Sequence, residues 1–243
     1  MLLVKNNSFN SLLSMAIALT IICLWVISLI FFWQLDVVSL PWILIIAGVG
    51  LRTFLHTGLF IVVHDSIHGV VSMNQKINSS MGYLAAFSYA LLPYQTLADN
   101  HHKHHRYPAT EKDPDYYLGS SQNFWLWYGS FMKHYQQGKQ FWILFWGMTV
   151  IFFSLVALHI AIANIFLFWV IPIVLSSLQL FFFGIFLPHR QLDEGYSDRH
   201  RARSSNYSVF WSLISCYHFG YHWEHHQYPS LPWYQLPLVR RKS

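Results

Sequence analysis

"FWILFWGMTVIFFSLVALHIAIANIFLFWVIPIVLSSLQLFFFGIFL", Phe141 to Leu187, runs for 47 residues without a charge. A helix needs ~20 apolar residues to cross a bilayer, so this stretch suffices for two crossings, at 141–163 and 164–187. Two earlier runs match it. Ser11–Trp33 is 23 residues long and uncharged, and Pro41–Val63 is equally long, interrupted by Arg52 and His56. Four spans at 11–33, 41–63, 141–163 and 164–187 predict an all-α, multi-pass membrane protein built from two helical hairpins. A composition 54% hydrophobic and 10% charged agrees. With no repeat, low-complexity tract or linker, residues 1–243 read as one domain.

The first run follows Lys5 but exceeds the apolar core of a signal peptide and lacks a small-residue cleavage site, so it reads as a retained anchor. Cys23 and Cys216 form no CxxC and lie far apart, which argues against a disulfide or thiolate site.

A net charge of +5 invites a nucleic-acid reading, and its distribution speaks against one. Of 15 Lys and Arg residues, 14 lie outside the four spans, none of them in the turn Gln34–Leu40 or at the Ala163/Asn164 junction. The cations gather in Met73–Lys139 and Arg190–Lys242. Excess Lys and Arg marks the cytoplasmic side, so both termini and both large loops are expected there. Ser79–Ala98 is a fifth uncharged stretch, broken by Gly82 and Pro93. Since a full crossing would put the cations after it on the wrong side, it is expected to re-enter or lie at the interface, with a full crossing as the alternative.

On this map the histidines form clusters. His64 and His68, in "HDSIH", share a helix face at i and i+4. In "HHKHH", His101, His104 and His105 do so at i, i+3 and i+4, and His222, His225 and His226 repeat that spacing in "HWEHH". His189 follows the fourth span in "FLPHR". All nine fall at one membrane face, in a cytoplasmic histidine-rich cap. Neutral imidazole suits iron, zinc, copper or nickel, and nine are too many for one ion, so two metals are expected. Asp65 and Glu224, flanked by these histidines, and His218, one turn before His222, are candidates for supporting the ligands or the chemistry. A functional role for Asp113 or Asp115, in the proline-bearing turn "EKDPDYY", is a weaker candidate. His56 and His159 fall inside spans, while His102, His134 and His200 are expected to be solvated. Arg52, near mid-span, should face protein. No Glu-x-x-His, His-Glu-x-x-His, Gly-x-Gly-x-x-Gly, P-loop or Gly-x-Ser-x-Gly occurs, so no nucleotide-cofactor site is expected. A metal transporter is the contrasting reading, but transport sites tend to lie at the bilayer midplane, not at helix ends.

The three histidine boxes around paired apolar hairpins resemble the membrane-bound fatty acid desaturase and hydroxylase superfamily. "HDSIHG", "HHKHHRYPATEKDPDYY", "FGIFLPHR", "ARS" (Ala202–Ser204) and "HFGYHWEHHQYPSLPWYQLP" resemble the bacterial β-carotene ketolases, from about Trp25 to Pro237. The resemblance implies two non-haem iron ions, molecular oxygen and an electron-donor protein such as ferredoxin. It also implies a β-carotene substrate taken from the lipid membrane, oxidised at the ring 4-position to echinenone and canthaxanthin. The setting would be a bacterial cell membrane or an internal photosynthetic membrane. A carotenoid ring hydroxylase or an acyl-lipid desaturase of the same superfamily is the alternative.

Overall fold

Helix accounts for nearly all regular structure in the residues that the structure, a computed structural model, describes: 8–119, 122–191, 195–196 and 198–240. Lys5, Arg241 and Lys242, counted above toward cytoplasmic termini, lie outside them. Helices α1 (Ser8–Trp33) and α2 (Trp42–Ile67) form the first hairpin. Between them come α3 (Gln75–Ala90), α4 (Tyr94–Arg106) and α5 (Phe124–Tyr135) before the second hairpin, α6 (Lys139–Ala157) and α7 (Ile162–His189). Short helices α8 (Val209–Cys216) and α9 (His222–Gln227) and a 3₁₀ turn at Trp233–Leu238 close the chain. The helices of the two hairpins are each long and apolar enough to cross a membrane.

Two span boundaries move by four residues or more. α2 runs past Val63 to Ile67 because "HDSIH" continues its helix, with His68 capping it in αR conformation. α6 stops at Ala157, six residues before the expected end, and the chain turns over 158–161 with His159 at φ +61. His159 is thus an exposed turn residue, not a span residue. At this end Asn164 donates from Nδ2 to the carbonyls of Phe32 (2.9 Å) and Leu35 (2.7 Å), tying the two short turns together.

α7 is a helix with two π-turns, Phe166–Val170 and Phe182–Phe186, each just ahead of a proline, Pro172 and Pro188. Proline offers no N–H and its ring crowds the carbonyl four residues back. For Pro172 that carbonyl belongs to Phe168, and Arg52 takes it: Nε donates to Phe168 O at 2.9 Å. Nη1 donates to Trp25 O and Ser28 Oγ, both at 2.7 Å. The fully buried mid-span cation therefore ties α1, α2 and α7 together through oxygen acceptors.

α3 and α4 cover the stretch expected to re-enter or lie at the interface. α3 starts at Asn74, whose side chain accepts from Lys76 N and Ile77 N, and ends at Leu91 in αL conformation. After Pro93, α4 leads to the second histidine box. A knot fastens α3 to the end of α2: Ser66 Oγ donates to Asn78 O and Asn78 Nδ2 to Ser66 O, each at 2.7 Å. Neither α3 nor α4 is among the helices long and apolar enough to cross. The main core lies where α2 meets α1, α3 and α7, around Leu59, Ile61 and Val63. A second cluster, Trp127 with Phe181 and Phe186, seats α5 on the end of α7.

Candidate metal centre

Four helix ends meet in the cap. α2 brings His64 and His68, α4 brings His101, His104 and His105, α7 brings His189, and α9 brings His222, His225 and His226. The nine rings divide into two groups. In the first, His64, His68, His101 and His225 hold ligand atoms within 4.8 Å of one another. His105 joins them, its Nε2 lying 3.1 Å from His101 Nε2 and 2.8 Å from His225 Nε2. The second group is His104, His189, His222 and His226, with Nε2 separations of 2.9 Å (His189–His222), 3.0 Å (His222–His226) and 3.2 Å (His104–His226).

In these close contacts every ring turns Nε2 inward. A neutral imidazole carries one N–H, and a nest of mutually facing nitrogens cannot pair every donor with an acceptor. Neighbouring ligands ~2.1 Å from a shared cation stand about 3 Å apart in cis octahedral positions, given metal–imidazole bonds of that length. The observed spacing therefore fits two cations, and the all-nitrogen donor set suits iron, zinc, copper or nickel alike. Burial pushes the pKa of His68 down to about 3, and of His101, His105, His222, His225 and His226 well below the usual histidine range. These rings stay neutral and keep their lone pairs.

The opposite nitrogens set the tautomers. His104 Nδ1 lies 3.0 Å from both oxygens of Asp113, which also accepts from Ala109 N and Asp115 N. Burial alone would lower the His104 pKa, but the Asp113 carboxylate outweighs it and raises it. His189 Nδ1 donates to Arg201 O at 2.8 Å. His64 Nδ1 stands 3.5 Å from Asp65 Oδ1, while Asp65 Oδ2 accepts from Trp233 N at 3.3 Å.

The other candidates fall elsewhere. Glu224 is buried with its carboxylate turned to the Ser204 hydroxyl. His218, at φ +64, stacks on Tyr221 and faces Trp233, and burial lowers its pKa to about 4; it belongs to neither histidine group. His102 and His134 are exposed, but His200, expected in solvent, is buried with Nε2 2.8 Å from Gln227 Oε1. His56 is fully buried in α2 and accepts from Trp25 Nε1 at 3.1 Å.

An apolar cleft of about 280 Å³ reaches both groups: His64, His101, His104 and His222 line it, with Phe60, Phe131, Leu180 and Phe219 among its other walls. Val174 of α7 also lines it and is 51% exposed, so the cleft reaches the surface at that helix. Asp115 and Tyr135 face it too, joined by a 2.7 Å hydrogen bond from the phenol. Burial raises the Asp115 pKa to about 6.

The family model of the fatty acid desaturases matches residues 39–243. A β-carotene ketolase of Paracoccus sp. (strain PC1) is 35% identical, over 96% of this chain and 94% of that protein. A β-carotene ketolase of Paracoccus sp. (strain N81106 / MBIC 01143) is 38% identical over 87% and 85%. A zeaxanthin 4-ketolase of Chlamydomonas reinhardtii is 34% identical over 93% of this chain and 53% of that protein. No solved structure matches.

Proposed function

Because the chain belongs to the fatty acid desaturase family and to its β-carotene ketolase branch, we propose that it converts β-carotene to echinenone and canthaxanthin by placing keto groups at the ring 4-position. The observation that carries this reading is the convergence of nine imidazoles in two groups, four of which (His64, His101, His104 and His222) line an apolar cleft. The ligand set we propose is His64, His68, His101, His105 and His225 for one ion and His104, His189, His222 and His226 for the other. Two iron ions held there would supply activation of molecular oxygen and removal of an allylic hydrogen, with electrons from an external donor protein.

The chain itself provides geometry and dryness. Asp113 and the Arg201 carbonyl hold protons on the outer nitrogens of His104 and His189, so that both Nε2 lone pairs point inward. At about 280 Å³ the cleft is at the small end of ligand pockets, so one ring end of a long polyene enters while the rest stays in lipid. Its phenylalanine and leucine walls exclude water and turn the ring edge toward the histidines. Lys and Arg placement further supports a cap facing the cytoplasm of a bacterial cell membrane or an internal photosynthetic membrane.

Expression in a β-carotene-accumulating host tests the reading. Echinenone and canthaxanthin should appear, require oxygen, and vanish in His222→Ala. Zeaxanthin as the sole product would replace ketolation with ring hydroxylation. Untouched β-carotene with rising lipid unsaturation would favour an acyl-lipid desaturase.

A further inference from the structure

Making a ketone at one ring carbon takes two oxidations at the same position. In the first, a C4–H bond becomes C4–OH: one atom of O₂ goes to carbon and the other leaves as water, with two electrons from the external donor and two protons. A second such round gives the geminal diol, and loss of water leaves the ketone. Between rounds the substrate is an alcohol in an apolar cleft, free to leave before it reacts again.

Beside the histidines, that cleft presents a pair of oxygen acceptors. Tyr135 donates its phenol hydrogen to Asp115 Oδ1, and its oxygen, which already accepts from the Asn100 side chain, keeps one further lone pair. Asp115 Oδ2 stands 3.9 Å from His104 Nδ1, too far for a hydrogen bond. Both side chains line the cleft together with His104, and Asp115 is buried. Asp113, two residues away, holds His104, so Asp115 is not needed for that task. A CH₂ group offers these acceptors nothing, a hydroxyl offers them a hydrogen, and a ketone again has none. A site that hydrogen-bonds a substrate O–H discriminates strongly against the analogue without it.

We propose that Asp115 and Tyr135 bind the hydroxyl formed in the first round and hold the alcohol for the second, making ketone rather than alcohol the released product. This rests on the ketolase reading above. The experiment is Tyr135→Phe in a β-carotene-producing host, with chain abundance in membranes measured alongside the pigments. Removing one hydroxyl should raise the ratio of 4-hydroxy to 4-keto carotenoids roughly tenfold, as expected for the loss of a single hydrogen bond, with total ring oxidation preserved. Supplied 4-hydroxycarotenoid should be turned over more slowly by the variant than by the parent chain. Tyr128→Phe is the control, since that phenol also lines the cleft but pairs with Ser177 Oγ at 2.9 Å, and it should leave the ratio unchanged. An unaltered ratio in Tyr135→Phe, an equal rise in Tyr128→Phe, or loss of the first oxidation together with the second overturns the proposal. If the parent chain makes no 4-oxidised carotenoid, the ketolase reading itself falls.

Discussion

Asp113 shows how one side chain can control a ring that it does not share with any helix. Its two oxygens sit 3.0 Å from His104 Nδ1, and it reaches that position through a turn in which Ala109 takes φ +50 and donates its N–H to the same carboxylate. The carboxylate fixes which nitrogen of His104 faces the other ligands, and loss of such a partner typically costs 10–100-fold in metal affinity or activity. Asp113→Ala should therefore bind less than the two irons per chain expected of the parent and lose activity by about that factor. Asp113→Asn should lose less, because its amide oxygen still accepts from Nδ1–H. Elemental analysis beside turnover decides, and parental iron content in Asp113→Ala would remove the carboxylate from the site. The rings themselves were legible because i, i+3, i+4 spacing on a helix is periodic. Asp113 was legible only as a weaker candidate, because its contact depends on how a nine-residue turn closes, and no periodicity encodes that. Glu224 was legible the other way, by adjacency to ligands in sequence, and its carboxylate accepts from the Ser204 hydroxyl.

The long apolar run that announced the second hairpin illustrates what hydropathy reads and what it misses among the elements. It counts residues, so it found two spans in Phe141–Leu187. It does not count hydrogen-bond partners, so the turn at 158–161 and both π-turns of α7 went unseen. α5 and α8, of 12 and 8 residues, are too short to stand out as spans. The prolines were the available signal, since each strips a donor from the carbonyl four residues back. Arg52 exploits the first of these gaps, and hydrogen bonds to a charged group contribute roughly 1.5–3 kcal/mol each. Arg52→Ala should therefore destabilise the bundle by about 3 kcal/mol or more, read as the denaturant midpoint of detergent-solubilised protein. Pro172→Ala restores an N–H within reach of the Phe168 carbonyl, and in that background Arg52→Ala should cost about 1 kcal/mol less. Strict additivity of the two substitutions would show that the carbonyl does not couple them.

At the scale of the whole molecule the chain sorts its side chains by surroundings. Large apolar groups such as Ile27, Trp42, Trp146 and Phe153 stand 59–70% exposed on α1, α2 and α6, where lipid rather than water would cover them. The ends of α2 and α7 that carry His64 and His189 meet in the cap, and the short turns after α1 and α6 are held together at the far end by Asn164. This two-ended arrangement was legible from the spans and the cations, because each is a property of composition along the chain. The cleft was not, since its walls come from helices far apart in sequence. The same arrangement makes the orientation testable. Lys103, Arg106 and Lys112 are exposed on the cap side, and excess cations mark the cytoplasm. With Cys23 and Cys216 replaced by serine, a cysteine at Val38, 93% exposed in the first short turn, should react with a membrane-impermeant thiol reagent in intact cells. A cysteine at Lys112 should react only after the membrane is opened. Labelling of position 112 from outside would reverse the orientation and place the histidines on the face away from the cell's supply of reduced electron carriers.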